Sequence, residues 1–208
     1  MARNQALFDA ILGGKRKDAA RITQECVDAN INVQELLNES MIPAMREMGD
    51  RFSRNEVFVP EMLIAARAMK AGLEIIEPLL VQSGMEPRAR VAIGTVKGDL
   101  HDIGKNLVAM MLRGAGYDVL DLGVDIEADK FAEAADQGVK IIMLSALLTT
   151  TMQYMKEVVD HLEGRNDIKI IIGGAPVTAD YAKEIGAHAY GRDANDAVKI
   201  VDALVGVA

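Results

Sequence analysis

The chain has 208 residues, half of them apolar and 26% charged, with a formal net charge of −8. That length allows one large domain or two small ones, and the acidic balance disfavours nucleic-acid or anionic-membrane binding, both of which want basic patches. No apolar run is long enough for a bilayer, the first residues lack the apolar core of a signal peptide, and a lone cysteine permits no internal disulfide, so the chain reads as cytoplasmic.

Residues 1–83 read as helices only. Leu7, Ile11 and Leu12 share a face until Gly13-Gly14 stops the first helix. Ala19, Ile22, Cys26 and Val27 mark a second helix ending near Asn30, with Cys26 a packed thiol. From Val33 to Phe52, Leu36, Leu37, Met41, Ile42, Met45 and Met48 recur at helical spacing, with a kink expected at Pro43. Pro60 opens a fourth helix through Met62, Leu63, Ala66, Met69, Leu73 and Ile76. Four such helices with short loops predict a small all-α four-helix bundle. Aromatics make up only 4% of the chain while Met occurs 12 times, so Met, Leu, Ala and Gly must close the cores.

Residues 84–89, beginning Gly84-Met85-Glu86-Pro87-Arg88, read as a linker. From residue 90 to 208 the pattern changes. Apolar strands are expected at Arg90–Val96, Tyr117–Leu122, Val139–Ser145, Ile168–Ile172 and Ala187–Tyr190. Helices begin near Gly104, Glu127, Thr151, Thr178 and Ala194. Strands alternating with helices imply a five-stranded parallel α/β sheet covered on both faces, flavodoxin-like with order 2-1-3-4-5.

In such a sheet, ligands bind at the carboxyl ends of the strands. Three loops meet there. The first, Asp99-Leu100-His101-Asp102-Ile103-Gly104, holds the only one of three histidines flanked by two carboxylates. The second runs from Ser145 through Leu147 to Thr149, Thr150 and Thr151 and offers hydroxyls. The third, Gly173-Gly174, offers bare backbone. The spacing of Gly98 to Gly104-Lys105, followed by Asn106, fails the P-loop pattern, and no G-x-G-x-x-G follows the first strand. A hydrolytic metal site would need converging ligands, whereas His161 falls on a polar helix face and His188 in the last strand. A phospho-acceptor receiver would cluster acids without a histidine between them. What remains is either an imidazole that serves as one axial ligand to a metal already held by a macrocycle, or a histidine that caps the next helix.

Asp99-x-His101-x-x-Gly104, then Ser145-x-Leu147, then Gly173-Gly174 resembles the signature of the corrinoid (cobalamin-binding) proteins of bacterial and archaeal methyltransferase systems and of the matching modules of cobalamin-dependent methionine synthase. In the first half, Gly49-Asp50-Arg51-Phe52, Phe58-Val59-Pro60-Glu61-Met62 and Ala65-Ala66-Arg67-Ala68-Met69 look like the helical cap module of the same family. The resemblance implies cobalamin or a related corrinoid bound base-off, with His101 as the lower cobalt ligand and a methylcobalt form as intermediate. Asp99 would hold His101, and Thr151 would continue the relay. The displaced nucleotide tail would pass Gly104, Ser145, Leu147, Thr149, Gly173 and Gly174, with Gly191, Asp193 and Ala194 closing the cleft. Phe58, Met62 and Ala65 would shield the upper cobalt face.

The function so implied is a methyl carrier that catalyses little alone. A donor-specific methyltransferase would load a methyl group from a methoxyaromatic, methanol or a methylamine. An acceptor methyltransferase would pass it to tetrahydrofolate or coenzyme M, and a reductive activator is a further expected partner. The alternatives are a cobalamin-based regulator, for which a DNA-binding domain is missing here, and the small subunit of an adenosylcobalamin mutase, which lacks the helical cap.

Overall fold

The computed structural model describes residues 3–82 and 87–206, so Gly84, Met85 and Glu86 of the expected linker lie outside the described residues. The chain divides into two compact units near residue 86.

The first unit is helical. α1 (Gln5–Leu12) is capped by Asn4, whose side chain accepts from Leu7 N, and α2 (Arg16–Asp28) follows the Gly13-Gly14 turn. Gly14 has φ +66°, and a Cβ there would meet the Ile64 side chain at 2.8 Å, so glycine lets this turn lie on the neighbouring helix. Cys26 is buried, and burial pushes its thiol pKa up. The third helical run is α3 (Val33–Leu36), a π-turn at Leu37–Met41 and α4 (Ile42–Ser53). Sequence suggests a kink at Pro43; the structure answers with the π-turn just before it, in which Ile42 N–H reaches Leu37 O. α5 (Val59–Gln82) carries Pro78 inside it. The apolar faces of these helices bury Leu7, Ile11, Met41, Met45, Met62, Met69 and Ile76 completely or nearly so, which makes amphipathic burial the source of their stability.

The second unit is a five-stranded parallel sheet in the order β2-β1-β3-β4-β5. Its strands are β1 (Arg90–Val96), β2 (Asp118–Ile126), β3 (Ile141–Ser145), β4 (Lys169–Gly173) and β5 (Ala189–Gly191). The helices between and after them are α6 (Ile103–Gly114), α7 (Ala128–Asp136), α8 (Gln153–His161), α9 (Ala179–Ile185) and α10 (Ala194–Val205). β1, β3 and β4 read as continuous apolar runs because helices cover both faces. Gly94 lies under Phe131, whose ring would stand 2.8 Å from an added Cβ.

Three expected strands need correction. β3 begins at Ile141, two residues after the expected Val139. β2 runs on past Leu122 to Ile126. Seven residues of β1 face nine of β2, the register shifting on both sides of Gly94, and Gly123 and Asp125 take positive φ. A turn-like sequence is therefore a bulged strand end. β5 begins at Ala189, because His188 answers Ile170 with its backbone and Nδ1 instead of continuing the ladder.

Strand order reverses between β1 and β3, which opens a crevice at their carboxyl ends.

Candidate functional site

β1 delivers the chain to a turn at Gly98 (φ +75°), after which Asp99 turns inward. Its side chain is fully buried. Oδ1 accepts from His101 Nδ1 at 2.7 Å and from His101 N at 3.1 Å. Oδ2 accepts from Leu147 N at 2.7 Å, Leu148 N at 3.2 Å and Thr151 Oγ1 at 2.8 Å. One carboxylate thus joins the loop after β1 to the loop after β3. Burial alone would raise its pKa, but the backbone bonds from Leu147 and His101 and the side-chain bonds from His101 and Thr151 outweigh this and hold it far below the usual carboxylate range.

An ionised acceptor at Nδ1 fixes the proton there, which leaves Nε2 with its lone pair. The His101 side chain is 51% exposed. Its carbonyl accepts from the buried Thr95 hydroxyl at 2.9 Å. Four of the seven large apolar side chains exposed among the described residues stand on the same two loops or at the first residue of α6: Leu100, Ile103, Leu147 and Leu148. Such a group around a half-exposed imidazole suits an extended apolar ligand. Gly104 adds to this, since a Cβ there would meet nothing within 4 Å.

The glycines of the other loops have a different reason. A Cβ on Gly174 (φ +133°) would lie 1.9 Å from Ala146 O, and one on Gly173 would lie 3.0 Å from Gly191 O. Here backbone packs on backbone at the ends of β3, β4 and β5. Gly191 is buried, and a Cβ there would press on Ala197. Ser145 is half-buried and pairs with Thr95 and Gly173 in the sheet; Thr149 is exposed. Asp193 caps α10, its Oδ1 accepting from Asn195 N and Asp196 N, and Ala194 is buried behind it.

Of the helical-unit residues, Phe58 is 64% exposed, while Met62 and Ala65 are fully buried. Of these three, only Phe58 has surface open to a ligand, because Met62 and Ala65 lie on the packed stripe of α5. His161 sits against Asp129 and His188 against Ile170 N. Among the described residues no three His, Cys, Asp or Glu side chains gather to hold a metal ion.

Sequence reasoning missed four supports of the His101 loop. One is Thr95. Two more are Lys105, whose buried Nζ lies 2.6 Å from Asp121 Oδ1, and Asp121 itself on β2. The last is Asp125, whose Oδ1 accepts from Gly98 N at 2.7 Å. Only the lysine carried a signal, as a charged residue opening an otherwise apolar helix face.

B12 binding domain models match residues 89–199 and residues 3–77. A corrinoid protein of Desulfitobacterium hafniense is 38% identical over 96% of each chain. Trimethylamine corrinoid protein 1 of Methanosarcina acetivorans is 39% identical over 95% of this chain and 94% of its own. Among solved structures, the methanol:cobalamin methyltransferase complex of Methanosarcina barkeri matches with a TM-score of 0.86 at 30% identity, covering 98% of this chain and 79% of that one. A cobalamin-binding protein from Desulfitobacterium hafniense matches with a TM-score of 0.78 at 31% identity, covering 96% and 97%.

Proposed function

The chain belongs to the B12-binding corrinoid proteins of methyltransferase systems, and from that premise we propose that it carries a methyl group between two partner enzymes on a corrinoid bound base-off, with His101 Nε2 as lower ligand to cobalt. The observation that carries this reading is the pairing of His101 Nδ1 with a buried, ionised Asp99. It leaves one imidazole nitrogen, on a half-exposed ring amid exposed apolar side chains, as donor. A metal that takes one protein ligand must bring the others itself, as a corrin does.

The corrinoid supplies a cobalt that takes up and gives up the methyl group. The protein supplies position and charge. Asp99 holds the imidazole in one tautomer and strengthens its donation. Thr151 and the Leu147 and Leu148 amides hold Asp99 in turn. With five donors on its two oxygens the Asp99 carboxylate is fully used in holding the loop and the imidazole. The open Gly104 surface, Ser145, Leu147, Thr149 and Gly173-Gly174 border the path for the nucleotide tail, and Gly191, Asp193 and Ala194 form its far wall. Within the helical unit, exposed Phe58 is the side chain with aromatic surface to offer a corrinoid. A small methylated amine or methanol is the donor class, after the relatives' names. Tetrahydrofolate or coenzyme M is the acceptor, and a reductive activator restores the carrier. The matched helical module over residues 3–77 sets this reading above a mutase small subunit.

The test is reconstitution with cobalamin and EPR of the cobalt(II) form. Wild type should show nitrogen hyperfine splitting from the axial imidazole. His101→Ala should retain much of the binding and lose the splitting. Unchanged splitting in the variant, or a folded protein that takes up no corrinoid, would sink the proposal.

A further inference from the structure

Asp125 stands at the end of β2 with φ +57°, a left-handed conformation that side chains rarely adopt and that Asp tolerates better than most. It is the second of two positive-φ residues in the bulged end of β2, where that strand carries two more residues than its partner. The bulge delivers Asp125 to the turn before His101. Its Oδ1 accepts from Gly98 N at 2.7 Å, and its own N–H donates to Asp99 O at 3.0 Å. A single residue therefore grips the Gly98–Asp99 dipeptide at both ends. Gly98 is itself left-handed (φ +75°), and across its turn Asp99 N donates to Val96 O at 3.2 Å. The gripped Gly98 and Asp99 lie beyond Val96, where the β1–β2 ladder ends opposite Ile126.

From this geometry we infer that Asp125 is a positioning residue for the axial ligand. It sets the backbone of Asp99, so that Asp99 can reach the Leu147, Leu148 and Thr151 donors with one oxygen and His101 with the other. The inference rests on the His101 reading above for its consequence at cobalt, but the grip itself concerns only the protein. Among the described residues the hydrogen bonds between β2 and the Gly98–Asp99 backbone are these two of Asp125, and the bond to a charged acceptor is of the stronger kind.

A bland alternative is that Asp merely suits a left-handed turn. Asp125→Gly separates the two, because glycine suits that turn better and removes only the carboxylate. Asp125→Asn keeps both the turn and an acceptor oxygen. In the cofactor-free protein, hydrogen exchange at the Leu147 amide reports whether Asp99 is in place. Asp125→Gly should lower its protection by about tenfold while leaving thermal unfolding near wild type, and Asp125→Asn should restore most of the protection. In cobalamin-loaded protein, the ratio of nitrogen-split to unsplit cobalt(II) EPR signal should fall by a similar factor in Asp125→Gly and recover in Asp125→Asn. Wild-type protection of Leu147 in Asp125→Gly overturns the grip. A fall in protection without change in the EPR ratio overturns its role towards cobalt. Should Asp125→Gly not fold, the wild-type protein decides: Gly98 and Leu147 amides must open together, and free exchange at Gly98 beside a protected Leu147 refutes the grip. Absence of nitrogen splitting in wild type would reject the axial reading, and the exchange result would still judge the grip.

Discussion

In the helical unit the buried polar side chains serve their neighbours. Thr23 Oγ1 donates to Ala19 O at 2.7 Å, and Ser40 Oγ accepts from Asn4 N at 2.9 Å. In the α/β unit Thr95, Asp99 and Thr151 are buried as well, but all three bear on one histidine, directly or through Asp99. Burying a charge is costly unless it is fully hydrogen-bonded. A fold that buries Asp99 and then surrounds it with five donors is holding a shape that apolar packing alone would not require. The same contrast holds for close-packed glycines. Gly72 in α5 meets flexible side chains, whereas Gly174 meets backbone.

The sharpest way to break this comparison is the same substitution in both units. At Gly174 an alanine would put Cβ 1.9 Å from Ala146 O at φ +133°. Strain and overlap together should cost about 3 kcal/mol or more. At Gly72 the Cβ would stand 2.8 Å from Met41 Cε, which can move, and 3.0 Å from Thr23 Oγ1. Alanine's better helix propensity offsets that crowding, so the change should stay within about 1 kcal/mol. Denaturant unfolding of both variants measures the difference, and equal losses would refute it.

Asp99→Asn comes next. It replaces a charged acceptor by an amide whose NH2 must face donors, which should destabilise the cofactor-free protein by about 2 kcal/mol. In loaded protein the cobalt–His bond should weaken and the cobalt(II)/(I) potential rise. A variant that matches wild type in unfolding and in a potential titration would reduce Asp99 to a loop acid.

A smaller effect belongs to Asp121. Burial pushes its carboxyl up, yet the Lys105 ammonium and the Gly123 amide more than offset this and lower it. A carboxyl lower in the folded than in the unfolded chain stabilises above its unfolded pKa of about 4, and that contribution fades as pH falls through the folded value. Asp121→Asn should therefore cost about 1 kcal/mol at neutral pH and progressively less in acid. A difference that holds constant down the pH series would show that the ion pair does not matter. The least effect is expected at Phe58, where Phe58→Ala should modestly speed photolysis of the methylated protein; identical rates would mean that Phe58 covers nothing.

Much of this was readable beforehand. β1 begins and ends where its apolar run does, and five apolar runs separated by amphipathic stretches led to the observed strand order. Asp99, His101 and Thr151 were placed together by resemblance, and the geometry joins them. What escaped lies where local preference and tertiary demand disagree. Gly123 and Asp125 look like turn residues, and only pairing with β1 makes them bulges in a strand. Met62 and Ala65 fall at helical spacing either way, so no pattern could tell a packed stripe from a cover.

Asp99 also has a history within each folding event. Its partners Leu147, Leu148 and Thr151 lie 48, 49 and 52 residues further along the chain. Closing so long a loop is entropically unfavourable until β1 and β3 have paired, which makes these bonds late arrivals. Interactions absent from the transition state leave the folding rate alone and slow unfolding. The cluster around Asp99 thus acts as a kinetic clasp on the switch point between β1 and β3, closing after the sheet has formed and among the first contacts to yield when it opens.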